Sequence, residues 1–309
     1  MSANPPPAES RRKTLPPSWA RLRRVQQIHA LCVLGIPLAG FLAAVCLAFQ
    51  YPVSPAAIWL LVCGHALSMT GICAGFHRCF AHPGFKAPRW LERLLCGLGS
   101  TAGQGPMIFW VATHRRHHQF SDREGDPHSP HLSRGLLNGF WHAHVGWMFS
   151  DMPSNPVKYA PDLLKDPVLR GYSGEYYFWL AGGWILPGVV LFALHSTPYS
   201  FIEGVLWGGM ARTFVVQHAT WSVNSICHLY GTVDHEIRGN SRNNLWLSYL
   251  TFGESWHNNH HAFPLSALHG HKWWQLDPAG MVIRMMAKLG WIHDLKLPKT
   301  MQAEREIKT

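Results

Sequence analysis

Four apolar stretches constrain the fold of this chain more than any other feature of its sequence. They cover residues 28–49, 55–73, 176–194 and 201–221. Each is long enough for a helix of about 20 residues, which crosses roughly 30 Å of hydrocarbon. Only a few residues separate the first stretch from the second and the third from the fourth. The sequence therefore predicts an all-α, multi-pass membrane protein with four transmembrane helices in two hairpins.

Lysine and arginine positions predict how these hairpins are oriented. Of the 27 lysines and arginines, six precede the first stretch, eleven lie between residues 75 and 174, and nine follow the fourth stretch. Neither hairpin tip carries one. By the positive-inside rule, both termini and the long central segment face the cytoplasm, in the inner membrane if the source is bacterial. This rule also accounts for the net charge of +10, so we do not expect nucleic acid as a partner.

The rest of the chain is organised around these stretches. We expect a disordered basic tail over 1–24, one integral-membrane domain over 25–298 and a C-terminal tail over 299–309. A weaker apolar block, 90–110, is expected at the interface or packed against the bundle. The seven cysteines form no CxxC pair, which argues against a disulfide framework and a thiolate zinc site. Four buried helices of a soluble protein remain the alternative fold.

Three histidine clusters, at 77–82, 114–118 and 257–261, are the second prominent feature. In the second and third clusters, histidines recur at i, i+3 and i+4, which lie on one helix face. The first cluster has i, i+5 spacing. Because Pro83 follows it, we expect a helix end near His77, with His82 turning back toward the same site. The eight histidines are His77, His82, His114, His117, His118, His257, His260 and His261.

All eight histidines fall on the predicted cytoplasmic side, so a cytoplasmic helical cap should carry them together. Imidazole ligands without thiolate suit Zn, Cu, Fe or Ni. Eight ligands exceed what one ion takes, so two metals are expected. Two irons would activate oxygen, whereas zinc has no redox chemistry.

At this point the sequence resembles the membrane-bound fatty acyl desaturases of the Δ9 (stearoyl-CoA desaturase) type. The resemblance covers about 24–298 and rests on the three histidine clusters in order. Asp126-Pro127-His128 follows the second cluster, and Gly253-Glu254 precedes the third. The segment 220–231 is also similar. The resemblance implies a di-iron (Fe²⁺) centre whose ninth histidine ligand is His228, with Asn224 reaching one iron through water. It places Gln104, Trp110 and Trp221 near the bend of a substrate tunnel.

The resemblance also implies an activity. It is an O2-dependent desaturation that places a cis double bond, at Δ9, in a saturated fatty acyl chain. Two electrons come from a separate donor of the ferredoxin, rubredoxin or cytochrome b5 type with its reductase, because the haem-binding HPGG motif of a fused cytochrome b5 is absent. The acyl-CoA enzymes have an Arg-Asp pair where this chain has Ala112 and Thr113. Acyl-CoA and lipid-linked acyl chains therefore both remain possible substrates.

Other interpretations stay open at this stage. A membrane di-iron hydroxylase or ketolase has similar histidine clusters. A metal transporter is a further alternative, although transporters place their ionisable groups at mid-membrane. Among the remaining histidines, His142 and His144 are expected to be structural, and His269 and His271 are expected at the surface.

Overall fold

The computed structural model describes residues 17–149 and 153–298. Within these residues the protein is helical, and its only β pairing consists of isolated bridges such as Lys86 with His293. The helices of the first half are α1 (Pro17–Ala48), α2 (Pro55–Thr70), α3 (Arg89–Ser100), α4 (Met107–Phe120) and α5 (Leu136–His144). Those of the second half are α6 (Pro156–Tyr159), α7 (Pro161–Lys165), α8 (Pro167–Gly174), α9 (Tyr176–His195), α10 (Pro198–Gly204), α11 (Arg212–Leu229), α12 (His257–Ala262) and α13 (Pro278–Lys288).

Three helical runs of the described residues are long and apolar enough to cross a membrane. They are Arg21–Ala48, Pro55–Ala81 and Pro167–His195. The fourth predicted span is helical from Pro198 to Leu229 through α10, a π-helical segment and α11. It contains the buried polar residues Glu203, Arg212 and Gln217, which lower its mean hydropathy, so a four-span arrangement stays a prediction.

A π-helical segment, Gly71–Ala81, continues α2 and carries the first histidine cluster. The helix therefore ends at Ala81, four residues beyond the end expected near His77. A π-helix closes i→i+5 hydrogen bonds, and the backbone N–H of His82 donates to the carbonyl of His77 at 2.9 Å. The wider turn explains how two histidines five positions apart approach one site.

Helix α3 packs directly on this π-helical segment, as the weaker apolar block suggested. The two backbones touch at Gly71 and Gly99. A side chain at Gly71 would prevent this contact, because its Cβ would lie 2.0 Å from the backbone nitrogen of Gly99. After α3 the chain forms the loop 101–106 and then α4, which carries the second histidine cluster. The core around it is made of buried residues from α2, α3, α4 and α13.

The predicted N-terminal boundary is also wrong. Helix α1 begins at Pro17, so residues 17–24, assigned to a disordered tail, form its first two turns. The remainder of that tail, 1–16, and the predicted C-terminal tail, 299–309, lie outside the described residues.

Candidate metal centre and acyl-chain cavity

Nine histidines meet at the end of the helical bundle in two neighbouring groups. In each group, one ring nitrogen of every histidine lies within 4.8 Å of those of the others. We call them the five-histidine group and the four-histidine group. The five-histidine group is His77, His82, His114, His118 and His260; the four-histidine group is His117, His228, His257 and His261. The stacked rings of His118 and His261, with centroids 4.3 Å apart, join the two groups.

Four segments supply these side chains. The π-helical segment and its cap provide two histidines, α4 provides three, α11 provides one and α12 provides three. The i, i+3, i+4 patterns are helical as predicted, and each splits its rings between the groups. In α4, His114 and His118 enter the five-histidine group while His117 enters the other. One helix face therefore serves two centres.

The Nε2 atoms are spaced as metal ligands are. Six Nε2–Nε2 distances within the groups lie between 2.8 and 3.3 Å, for example 3.0 Å between His77 and His260 and 3.0 Å between His228 and His257. Two nitrogens bound at right angles to one ion at about 2.1 Å would lie about 3.0 Å apart. The donor set therefore fits a metal ion in each group.

Three buried carboxylates determine which ring nitrogen carries the proton. Glu254 accepts a hydrogen bond from Nδ1 of His77, Asp126 from Nδ1 of His117 at 2.9 Å and Asp122 from Nδ1 of His228 at 3.0 Å. In each ring Nε2 is then left with a lone pair directed at its neighbours. Facing lone pairs about 3 Å apart are repulsive unless a cation lies between them, which again fits metal binding.

An arginine inside the protein holds Glu254. Arg78 is 1% exposed and donates from Nη2 to Glu254 at 3.0 Å and from Nη1 to Asp277 at 2.8 Å. The backbone N–H groups of His269 and Gly280 also donate to Asp277. A buried charge without a partner is costly, so Arg78, Glu254 and Asp277 form one unit behind the metal centre.

The titration behaviour of the site suits metal ligation. Burial, followed by the neighbouring imidazoles, holds the pKa values of His114, His118 and His260 well below the usual range. Burial alone would raise the pKa of Asp126, but its contacts with His117 lower it. Neutral imidazoles beside ionised carboxylates are the forms that metal ligation requires.

Three narrow cavities, of about 20, 40 and 30 Å³, share lining residues one with the next, and the third reaches the metal centre. Gln104 and Trp221 line both the first and the second cavity, and Trp110 and Asn224 line both the second and the third. The predicted tunnel residues are thus brought together, and Nε1 of Trp221 donates to Oε1 of Gln104 at 2.9 Å. The third cavity touches both histidine groups.

The two positions at which the acyl-CoA enzymes have an Arg-Asp pair lie inside this protein. Ala112 is 0% exposed and Thr113 is 6% exposed. Thr113 lines the second cavity beside His114. Neither position reaches the surface, so neither can contact an acyl carrier outside the protein.

Sequence reasoning placed one histidine wrongly and missed the role of a carboxylate. His269 was expected at the surface, but it is 1% exposed and its ring lies 4.6 Å from that of His260. Its main chain is fixed on both sides, by Asp277 and by the amide of Asn259. The sequence does not identify Asp122 as a partner of a metal-binding histidine, because the ring that it accepts from, His228, lies 106 residues further along the chain.

Comparison with known proteins identifies the family of this chain. The model of the fatty acid desaturase family matches residues 52–294. A hex-5-enoyl-[acyl-carrier protein] acetylenase of Moorena producens is 42% identical, over 92% of this chain and 90% of its own. An sn-1 stearoyl-lipid 9-desaturase of Synechocystis is 38% identical, over 94% and 84%. An acyl-CoA 5-desaturase of Anemone leveillei is 35% identical, over 93% and 84%. The chain therefore belongs to the fatty acid desaturase family, and its three histidine clusters meet in one centre.

Proposed function

We propose that this protein is an O2-dependent desaturase that introduces a cis double bond, at Δ9, into a saturated fatty acyl chain. One observation carries the proposal: a line of cavities passes the Gln104–Trp221 pair and ends between two histidine groups. This arrangement suits a long, featureless substrate from which two hydrogen atoms are removed at one place. The sn-1 stearoyl-lipid 9-desaturase relative supports the Δ9 position.

The reaction needs an external reductant. Removal of two hydrogen atoms from adjacent methylene carbons, together with two electrons from a donor and two protons from solvent, reduces one O2 to two waters. Two irons bound by the nine histidines, with Asn224 acting through water, would supply the oxygen activation. We propose a separate ferredoxin, rubredoxin or cytochrome b5 type protein as the donor.

The protein's own residues orient the ligands and the substrate. Glu254, Asp126 and Asp122 hold the proton on Nδ1 of their histidines, which keeps Nε2 free for a metal. Trp110 stacks on His114, with ring centroids 5.0 Å apart, and covers one side of the centre. Positioning the reacting carbons beside an oriented centre accounts for a large part of the rate enhancement that such an enzyme needs.

The acyl carrier is proposed to be a lipid or coenzyme A. Arg115, a candidate for a phosphate contact, already donates to Asp162 at 2.6 Å and to the carbonyls of Phe80 and Ala81. With Ala112 and Thr113 buried, a CoA headgroup would need contacts elsewhere on the protein. Membranes supplied with labelled stearoyl-CoA and labelled stearoyl-phospholipid and a common reductant would distinguish the two carriers.

We further propose the two-hairpin topology with both termini and the metal centre on the cytoplasmic side. The distribution of lysine and arginine supports it, and so does the position of all nine histidines at one end of the bundle. The helix from Pro198 to Leu229 would be the fourth span, with its buried polar groups satisfied inside the bundle.

The deciding experiment is lipid analysis of cells that express the protein, with and without O2. We expect oxygen-dependent Δ9 unsaturated acyl chains, and none when His117 is replaced by Ala. Hydroxylated chains in their place would establish the alternative, a membrane di-iron hydroxylase. Formation of the double bond without O2 would contradict the proposal.

A further inference from the structure

Three hydrogen bonds connect the loop 101–106, between α3 and α4, to helix α11. Arg212 donates from Nη1 to the carbonyl of Thr101 at 2.6 Å. Gln217 donates from Nε2 to the carbonyl of Gly103 at 3.2 Å. Trp221 donates to the side chain of Gln104 at 2.9 Å. The three donors are five and four residues apart along α11, which is between one and one and a half helical turns, so the loop follows the helix axis.

Gln217 is the central member of this series, and it has a second contact. It is 1% exposed, and its Nε2 also donates to the carbonyl of Val33 in α1 at 2.9 Å. Both hydrogens of its side-chain amide are thus used, one toward α1 and one toward the loop. Without this amide, two buried carbonyls lose a partner, which is costly where water cannot replace it.

Gly103 has the matching geometry on the loop side. Its φ is +67°, a left-handed conformation that glycine adopts without steric cost. A Cβ at this position would lie 3.0 Å from Nε2 of Gln217 and 3.0 Å from Cγ2 of Thr213. The glycine therefore gives the amide room to reach its carbonyl, and Gln104 follows directly in the chain.

We propose that Gln217 is a specificity-determining residue that fixes where the acyl chain bends. By holding Gly103 it fixes the Gln104–Trp221 pair, and this pair lines the cavity that leads to the metal centre. The inference rests on the proposed desaturase function and adds to it. Gln217 does not line any of the three cavities, so it acts as a positioning residue.

The size of the effect follows from the spacing of carbon atoms. Adjacent carbons are bonded at about 1.5 Å, so a shift of the bend by about that much presents a different methylene to the centre. A misplacement of about 1 Å can also reduce rate by about a hundredfold. Loss of the Gln217 contacts should therefore change the position of the double bond as well as the rate.

The test is Gln217→Leu, which keeps the volume of the side chain and removes both hydrogen bonds. Products from stearoyl substrates are separated by double-bond position, and metal content is measured on the same purified protein. We expect the ratio of the major isomer to all others to fall at least about tenfold, with metal content unchanged. Gln27→Leu is the matched control, because it removes one bond to the carbonyl of Phe149 outside the cavities.

A second variant keeps the test decisive if Gln217→Leu loses its metal or does not fold. Gly103→Ala disturbs the same contact from the loop and should produce the same additional isomers. A single isomer at normal turnover from either folded variant would overturn the inference. Failure of the proposed function is distinct, because the unmodified protein would then form no double bond at all.

Discussion

The two histidine groups use carboxylates differently. Among the described residues, only His77 of the five-histidine group has a carboxylate partner on its Nδ1, Glu254. In the four-histidine group, two of the four rings have one, His117 with Asp126 and His228 with Asp122. A ring whose Nδ1 donates to a carboxylate has a fixed tautomer and orientation. The four-histidine group is therefore held mainly by its own carboxylates, and the five-histidine group depends on the packing of its rings.

The surroundings of these carboxylates differ as well. Glu254 belongs to a buried ionic cluster with Arg78 and Asp277, which comes from distant parts of the chain. Asp122 and Asp126 lie in one short loop, where backbone N–H groups and the hydroxyl of Ser129 donate to them. In the loop, a carboxylate that loses one hydrogen-bond donor still has others. In the buried ionic cluster, the loss of one charged group leaves an uncompensated charge inside the protein. The two groups should therefore respond to substitution with different severity.

The largest effect is expected from removal of a ligand in the five-histidine group. Nε2 of His260 lies 3.0 Å from that of His77 and 2.8 Å from that of His118, so its loss opens the centre of the group. We expect His260→Ala to lower the metal content from about two ions per chain and the activity by more than about a hundredfold. The exposed His293→Ala is the control. Elemental analysis that finds two irons in active His260→Ala protein would contradict the assignment.

Removal of the single carboxylate of this group comes next. Glu254→Gln takes one of two anions from the buried Arg78 and leaves a single oxygen where the carboxylate accepted from both Arg78 and His77, so we expect metal affinity to fall about 10- to 100-fold. Leaving a buried charge unbalanced should also lower the free energy of unfolding by about 3–5 kcal/mol. Metal titration and denaturant unfolding in detergent measure the two effects. Glu124→Gln, at an exposed site, should leave both unchanged; equal losses in the two variants would show a non-specific effect.

Acidification should destabilise the metal-free protein. Burial, then neighbouring imidazoles, lowers the pKa of His82, His114, His118 and His260 well below 6.5. Below pH 6.5 the unfolded chain binds protons that these buried rings exclude. Stability is therefore full above pH 6.5 and falls as the pH decreases, by up to about 1.4 kcal/mol per pH unit for each ring. Thermal unfolding of chelator-treated protein from pH 7.5 to 5.5 tests this, and a midpoint that rises on acidification would contradict it.

Much of this site is readable from the sequence because its patterns are local. The i, i+3, i+4 histidines need only a helix to share a face, and α4 and α12 provide one. The boundary at His77 was wrong because a π-helix forms where an α-helix was assumed, and one sequence carries no clear signal for the wider turn. His269 was misplaced because its burial depends on contacts with Asn259 and Asp277, which only the folded chain brings together.

The smallest effect is expected at Asp122, and it distinguishes the two histidine groups most directly. Asp122→Asn keeps an oxygen that accepts from Nδ1 of His228 and from the backbone N–H of Asn240. Its new amide group can donate to the nearby hydroxyl of Ser129, so the side chain stays in place. Asp126 still orients His117 in the same group. We therefore expect metal affinity to fall by only about tenfold, the low end for a carboxylate that orients a ligand. Metal titration beside the surface variant Asp294→Asn, whose carboxylate pairs with Lys86, measures the difference. If Asp122→Asn instead loses as much affinity as Glu254→Gln, the four-histidine group is not the more firmly held of the two, and local donors do not protect its geometry.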